Sequence, residues 1–236
     1  MHTHATTLEQ DSALPAAHAL RQRARKSAKV LGQLLLPRSL VVWRGRGAAP
    51  TPGKVALTFD DGPDSLTPDY LAVLDTLGVR ATFFVVGENC QRHPELVDDM
   101  LRRGHEVASH GYTHRRFTEL SSDQLWTELE QTRALLPRQP GDRALVRPPF
   151  GAVSPRSLLT CARAGFTTVL WSLNSGDWCN RDAGAVSRQL HTSPVSAGEI
   201  VLLHEGQPWT INALPDIIGG LKKDGHELVT VSELLA

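Results

Sequence analysis

Val55-Ala-Leu-Thr-Phe-Asp-Asp-Gly-Pro63 decides how this chain is read. The run Val55–Thr58 has the length and apolar character of a buried strand, the kind found in parallel sheets. It delivers two adjacent carboxylates, Asp60 and Asp61, into a Gly-Pro turn. Neighbouring side chains of an extended segment point in different directions, so the two acids can do different work. One can bind a metal while the other faces a substrate water. Taken alone, the fragment reads slightly better as an ordinary acidic turn, because Asp-Gly is a common turn pair.

Downstream, short apolar runs alternate with helical patterns. Thr67-Pro68 predicts a helix start with Thr67 as N-cap, and Tyr70, Leu71, Leu74 and Leu77 face inward before Gly78. Strands are expected at Ala81–Val86, Glu106–Ser109, Ala144–Arg147, Phe166–Trp171, Glu199–Leu203 and Leu228–Val231. Helices are expected at Pro94–Arg103, from Ser121 to about Leu136 behind a Ser121/Gln124 capping box, from Ser154-Pro155 to Gly165, at Ala183–His191 and at Asn212–Lys223. Pro215 and Gly219-Gly220 weaken the middle of the last of these. Seven strands alternating with helices imply an α/β fold with a parallel sheet and helical crossovers. A doubly wound sheet and an incomplete barrel both fit this pattern.

Upstream, residues 1–50 carry eight Lys+Arg against two Asp+Glu, although the chain's formal net charge is zero. Residues 1–53 therefore read as a basic N-terminal extension and linker, ending in Gly47-Ala-Ala-Pro-Thr-Pro-Gly53, and residues 54–236 as the domain that follows it. The neutral balance gives no reason to expect nucleic acid. No stretch approaches the roughly 20 apolar residues of a membrane span. Basic residues ahead of Val30–Leu36 faintly resemble a signal peptide, but Gln33 and Pro37 interrupt the run and no small-residue cleavage site follows. The expectation is a cytoplasmic or membrane-peripheral protein, with peripheral contact through the basic extension as an alternative to a solvated tail. Three cysteines, Cys90, Cys161 and Cys179, without a C-x-x-C pair, argue against a disulfide framework or zinc ribbon and for idle thiols.

Asp60, Asp61, His110, His114, Arg147, Asp177 and His204 all fall at the ends of expected strands or in the loops that follow. In parallel α/β architectures that is the active-site face. His110 and His114, four apart in Ser109-His-Gly-Tyr-Thr-His114, suit a metal, yet the pair alone reads equally as core or surface histidines.

Together with Arg147-Pro-Pro-Phe-Gly151, Trp171-Ser-Leu-Asn-Ser-Gly-Asp-Trp178 and Ile200-Val-Leu-Leu-His204, these fragments resemble, in order and spacing, the polysaccharide deacetylase family. This is carbohydrate esterase family four, with the chitooligosaccharide deacetylase homology domain, and the resemblance covers about residues 54–235. It implies a distorted (β/α) barrel of about seven parallel strands and a divalent metal, zinc being expected. By motif match, Asp61, His110 and His114 are similar to the metal ligands, Asp60 to the catalytic base and His204 to the general acid. Arg147 resembles the arginine that holds the base, and Asp177 the acid that orients the histidine. Phe150 would offer a backbone donor to the oxyanion, and Trp178 and Leu202 would wall the acetyl methyl group.

The chain departs from the family pattern at four places. Gly111 stands where Ser or Thr is frequent, Phe150 where Tyr is frequent, Asn174 where Asp is, and Glu205 where Asp is common. These touch substrate preference more than reaction class. The resemblance implies metal-dependent removal of N-acetyl groups from a sugar in a polysaccharide, oligosaccharide or lipid-linked glycan. The alternatives are hydrolysis of a non-sugar amide or an O-acetyl ester on the same fold, and a non-catalytic glycan-binding protein. His105 is expected to be structural, His93, His191 and His226 to lie at the surface, and Trp209 to be either core or a sugar-stacking rim.

Overall fold

The computed structural model of the protein describes residues 37–38, 40–45, 52–137, 144–192 and 194–236. Most of the expected basic extension, with its Val30–Leu36 segment, lies outside them. Ser39–Ala236 forms one compact unit. The sheet therefore reaches upstream of the boundary expected at residue 54, because Val41–Val42 pairs with it.

The strands are β1 (Val41–Val42), β2 (Lys54–Asp60), β3 (Thr82–Val85), β4 (Glu106–Ser109), β5 (Ala144–Val146), β6 (Phe166–Val169), β7 (Leu173–Asn174), β8 (Ile200–His204) and β9 (Glu227–Val229). The helices are α1 (Thr67–Thr76), α2 (Gly87–Arg92), α3 (Pro94–Arg102), α4 (Ser122–Leu135), α5 (Pro155–Arg163), α6 (Ala183–His191), α7 (Pro208–Lys223) and α8 (Val231–Leu235), with a 3-10 turn at Pro149–Gly151. All seven expected strands are present. β1 and β7, two residues each, are additional, too short to leave a periodic signal.

Every strand pair is parallel, in the order β1-β6-β5-β4-β3-β2-β8-β7. β9 pairs with the start of β2, at Lys54–Ala56, on the side that β3 takes higher up. This order settles the choice between open sheet and barrel. β6 and β7 lie six strand spacings apart along the sheet, which in a flat sheet is roughly 29 Å. Yet β6 ends at Val169 and β7 begins at Leu173, a reach of at most about 14 Å. The sheet has to curl. Beyond β1, the Gly45 amide donates to Gly198 O at the foot of β8 (2.7 Å), tying the two ends together. The fold is a distorted, incomplete (β/α) barrel.

Side chains alternate across the strands as the pleat requires. Val55, Leu57 and Phe59 of β2 and Val201 and Leu203 of β8 face the helices and join the main core with Tyr70, Leu71, Leu74, Ile217 and Leu221. Ala56, Phe84, Ala108, Val169, Ile200 and Val229 fill the barrel interior. Thr58 and Asp60 continue the interior row of β2, as Leu202 and His204 continue that of β8. Asp60 and His204 are register partners on neighbouring strands. The same period-two pattern that builds the core thus raises two polar groups side by side at its upper rim.

Two helix expectations change. Thr67 does not cap α1: the N-cap is Leu66, and Thr67 lies inside the helix. Its hydroxyl accepts from the Asp64 amide (2.8 Å) and donates to Glu205 (2.6 Å). α7 starts at Pro208 and runs through Pro215. The missing amide is outweighed by burial of Ala213, Leu214, Ile217, Ile218 and Leu221, at about 1.5–3 kcal/mol for each large apolar side chain. At Gly220 a Cβ would come 2.3 Å from His191 Nε2 of the adjoining α6, so the two helices pack closely there. Among the described residues no helix is long and apolar enough to cross a membrane.

Candidate active site

Asp60 ends β2, and Asp61 follows in a left-handed turn (φ 79°) that sends its carboxylate away from its neighbour's. The Asn89 side-chain amide donates to Asp61 O (2.7 Å) and holds the turn. Oδ1 of Asp61 is buried without a hydrogen-bond partner. His110 Nε2 and His114 Nε2 stand 3.4 and 3.1 Å from it. Burial works against the Asp61 charge, but the two imidazoles outweigh it and hold the carboxyl well below its usual range.

His110 follows β4 and is buried. Its Nδ1 lies 2.7 Å from Arg147 O. A carbonyl only accepts, so Nδ1 carries a proton, which leaves Nε2 as the ring atom available to a cation. His114 comes into place through Gly111 (φ 80°) and its own left-handed backbone (φ 57°). The ligand atoms of Asp61, His110 and His114 all lie within 4.8 Å of one another. Three inward-facing donors, one an orphaned buried oxygen, suit a divalent cation and leave coordination positions open. The expected triad is therefore brought together.

Arg147 is fully buried. Its Nη1 donates to Asp60 Oδ1 and to Thr58 Oγ1, each at 2.7 Å, and its other nitrogens donate to Val169 O (3.3 Å) and Leu170 O (3.2 Å). The guanidinium lies over the Phe84 ring, 4.0 Å from its centroid. Burial lowers its pKa and the Asp60 charge opposes that. Asp60 Oδ2 remains on the site side, 3.7 Å from His110 Nε2.

His204 closes β8. Its Nδ1 lies 2.7 Å from Asp177 Oδ1, while Asp177 Oδ2 accepts from His204 N (2.8 Å) and the Thr210 hydroxyl (2.9 Å). Trp209 Nε1 donates to Asp177 O (2.7 Å). Half-buried Trp209 thus braces Asp177 through the edge of its ring. Burial disfavours the imidazolium, but Asp177, with Asp60 and Asp61, outweighs it and raises the His204 pKa.

Phe150, also left-handed (φ 60°), lays its ring 4.8 Å from that of His114, and the Arg116 guanidinium lies over the Phe150 ring, 4.1 Å from its centroid. Phe150 and Trp178 are among the few large apolar side chains left exposed. Leu202 is buried in the interior row below His204. Glu205 packs against the Asp61–Gly62 turn, where a Cβ on Gly62 would fall 1.6 Å from its Oε2. Burial pushes its carboxyl up to about 8.

With this geometry in view, the comparisons are direct. The polysaccharide deacetylase family model matches residues 47–169. A peptidoglycan-N-acetylglucosamine deacetylase of Bacillus cereus is 35% identical over 213 residues, covering 87% of this chain and 98% of that protein. The chain belongs to the polysaccharide deacetylase family. A chitooligosaccharide deacetylase of Bradyrhizobium sp. is 35% identical over 199 residues, covering 76% of this chain and 90% of its own. Among solved structures, a peptidoglycan N-acetylglucosamine deacetylase bound to 4-naphthalen-1-yl-N-oxidanyl-benzamide superposes with TM-score 0.76 at 29% identity, covering 83% of this chain and 92% of that one. This polysaccharide deacetylase is accordingly a hydrolase of the type that acts on non-peptide carbon–nitrogen bonds.

Sequence reasoning missed the residues that hold the deacetylase's site from behind: Thr58, Asn89, Glu128, Thr210 and Glu205's packing role. For Glu128 a signal existed, an acid within the Leu125/Leu129/Thr132 face that α4 buries. The others contact their partners only across the fold. His105 is structural, as expected: its Nδ1 accepts the Ala81 amide (3.2 Å). His226 is buried against Gly53 and not on the surface. All three cysteines are free, Cys90 and Cys161 buried and Cys179 exposed.

Proposed function

We propose that this hydrolase removes N-acetyl groups from an N-acetylated sugar within a glycan, with a divalent ion, expected to be zinc, held by Asp61, His110 and His114. The observation that carries the reading is the pairing of two poised proton carriers beside that triad. Asp60, backed by Arg147, and His204, backed by Asp177, are opposite one another on adjacent strands.

When bound, the ion supplies Lewis acidity toward the acetamide carbonyl and toward water. Asp60 Oδ2, the oxygen not engaged by Arg147, takes the proton of the attacking water as the new carbon–oxygen bond forms. The Phe150 main-chain N–H is the protein's donor to the oxyanion. His204, tethered at Nδ1, gives its Nε2 proton to the sugar nitrogen as the carbon–nitrogen bond breaks. The products are acetate and a free amine. Leu202 and Trp178 border the methyl group.

The exposed ring of Trp178 favours a sugar over a small non-sugar amide, since it offers a face for stacking. The Bacillus cereus and Bradyrhizobium relatives are named for peptidoglycan N-acetylglucosamine and for chitooligosaccharide, and N-acetylglucosamine is the sugar we take as substrate. The complete set of base, acid and metal-ligand types argues against a purely binding role.

The test is acetate release by zinc-loaded protein from chitooligosaccharides, peptidoglycan, acetylated xylan and allantoin in parallel. Release from the first two, lost by roughly 10²–10⁴-fold in Asp60→Asn, is expected. Release only from xylan or allantoin, or no effect of Asp60→Asn, refutes the reading.

A further inference from the structure

The five-residue segment His110–His114 carries two of the three triad residues, and its backbone is held from both sides. At the start of α2 the amides of Gly87 and Glu88 donate to Gly111 O (2.9 Å) and Tyr112 O (3.0 Å). From the opposite side Glu128 Oε2 accepts both the Tyr112 and Thr113 amides, at 2.7 and 2.8 Å, and Oε1 accepts the Thr113 hydroxyl. Gly111 N donates to Ser109 Oγ (3.2 Å) and His110 N to Val85 O (2.8 Å). The amides of His110, Gly111, Tyr112 and Thr113 and the carbonyls of Gly111 and Tyr112 thus all have partners outside the segment.

We infer that Glu128 is a positioning residue for the metal site: its carboxylate fixes the Tyr112–Thr113 backbone between the left-handed residues Gly111 and His114, so that His114 Nε2 faces Asp61. The reasoning is geometric. Three donors converge on one carboxylate that is only 7% exposed. Bonds to an ionised acceptor are about twice as strong as neutral ones. Left-handed backbone at a residue with a side chain, as at His114, costs of the order of 1–3 kcal/mol and persists only where its surroundings impose it. Glu128 is the side chain that imposes it from α4. It also accounts for Gly111. The segment needs φ 80° there, and a Cβ would lie 3.0 Å from the Phe117 ring. A hydroxyl-bearing residue at 111 is not available as a brace, and Glu128 braces the loop from the other side.

The inference rests on reading Asp61, His110 and His114 as metal ligands, but not on the substrate. It is tested on the full chain by stripping the metal and measuring zinc affinity in competition with a chromophoric chelator. Glu128→Ala is expected to weaken zinc by 10–100-fold, with a near-native far-UV spectrum. Glu128→Gln keeps the shape but turns an NH₂ toward donors, and a loss of about tenfold is expected. It decides the matter if the alanine variant does not fold. Arg102→Ala, at an exposed residue of α3 that pairs with Asp99, should bind zinc as the parent does. Zinc affinity within twofold of the parent in a folded Glu128 variant overturns the inference, since a purely architectural role would lower the melting temperature of the metal-free protein and leave zinc affinity alone. Parent protein that binds zinc but releases no acetate would defeat the proposed reaction and leave this inference standing.

Discussion

His204 Nδ1 and Asp177 Oδ1 lie 2.7 Å apart, and the other oxygen of the same carboxylate accepts the His204 main-chain N–H. Asp177 therefore holds both the ring and the main chain of His204 and favours the charged imidazole, against burial, which disfavours it. A general acid must be protonated, so loss of the His204 proton sets the alkaline limb of the rate profile. Asp177→Asn removes the charge and should move that limb to lower pH while kcat falls roughly 10²-fold. A pH–rate profile with the limb unmoved would show that Asp177 does not tune His204.

Arg147 and Asp60 form an ion pair inside the barrel, sealed by Thr58, Phe84 and main-chain carbonyls. Arg147→Met leaves a buried carboxylate unpaired and should destabilise the protein by about 3–5 kcal/mol. Asp60→Leu combined with Arg147→Met should recover part of that loss, because replacing both members of a buried pair is often neutral. Urea denaturation of the single and double variants measures the coupling, and strict additivity would count against a pair.

Metal removal should separate stability from architecture. Chelator-treated protein is expected to lose activity, regain it with zinc, and melt lower than the loaded form. At zinc concentrations about 100 times Kd the stabilisation is about 2.7 kcal/mol. Identical melting with and without zinc would exclude the Asp61–His110–His114 site.

His105 supplies a pH test away from the metal. Burial lowers its pKa from 6.5 to about 4. The unfolded chain therefore binds this proton first as pH falls, and stability drops between about 6.5 and 4, by about 3 kcal/mol in total. Above 6.5 the ring is neutral in both states and contributes no pH dependence. His105→Gln should flatten that part of the stability curve relative to the parent. An unchanged slope between pH 6.5 and 4 would be the contrary result.

The sequence alone determined the longer elements and the residue types gathered at the ends of their strands. Val55–Thr58 and Glu199–Leu203 were readable as strands because burial on both faces demands continuous apolar runs, and their polar ends placed Asp60 and His204 on one face. The capping box at Ser121/Gln124 is local chemistry and was equally plain. Strand periodicity left open sheet and barrel both possible; the family resemblance implied the barrel, and the strand order shows it, with β6 next to one edge and β7 at the other, a fact about pairing and not about periodicity. α2 and the two-residue strands were missed because such short segments carry no period of their own. The braces, Glu128 on Tyr112 and Thr113 and Thr210 on Asp177, likewise needed the tertiary structure. A residue type can announce a proton carrier or a ligand, but a hydrogen bond exists only once the chain has brought donor and acceptor within about 3 Å of each other.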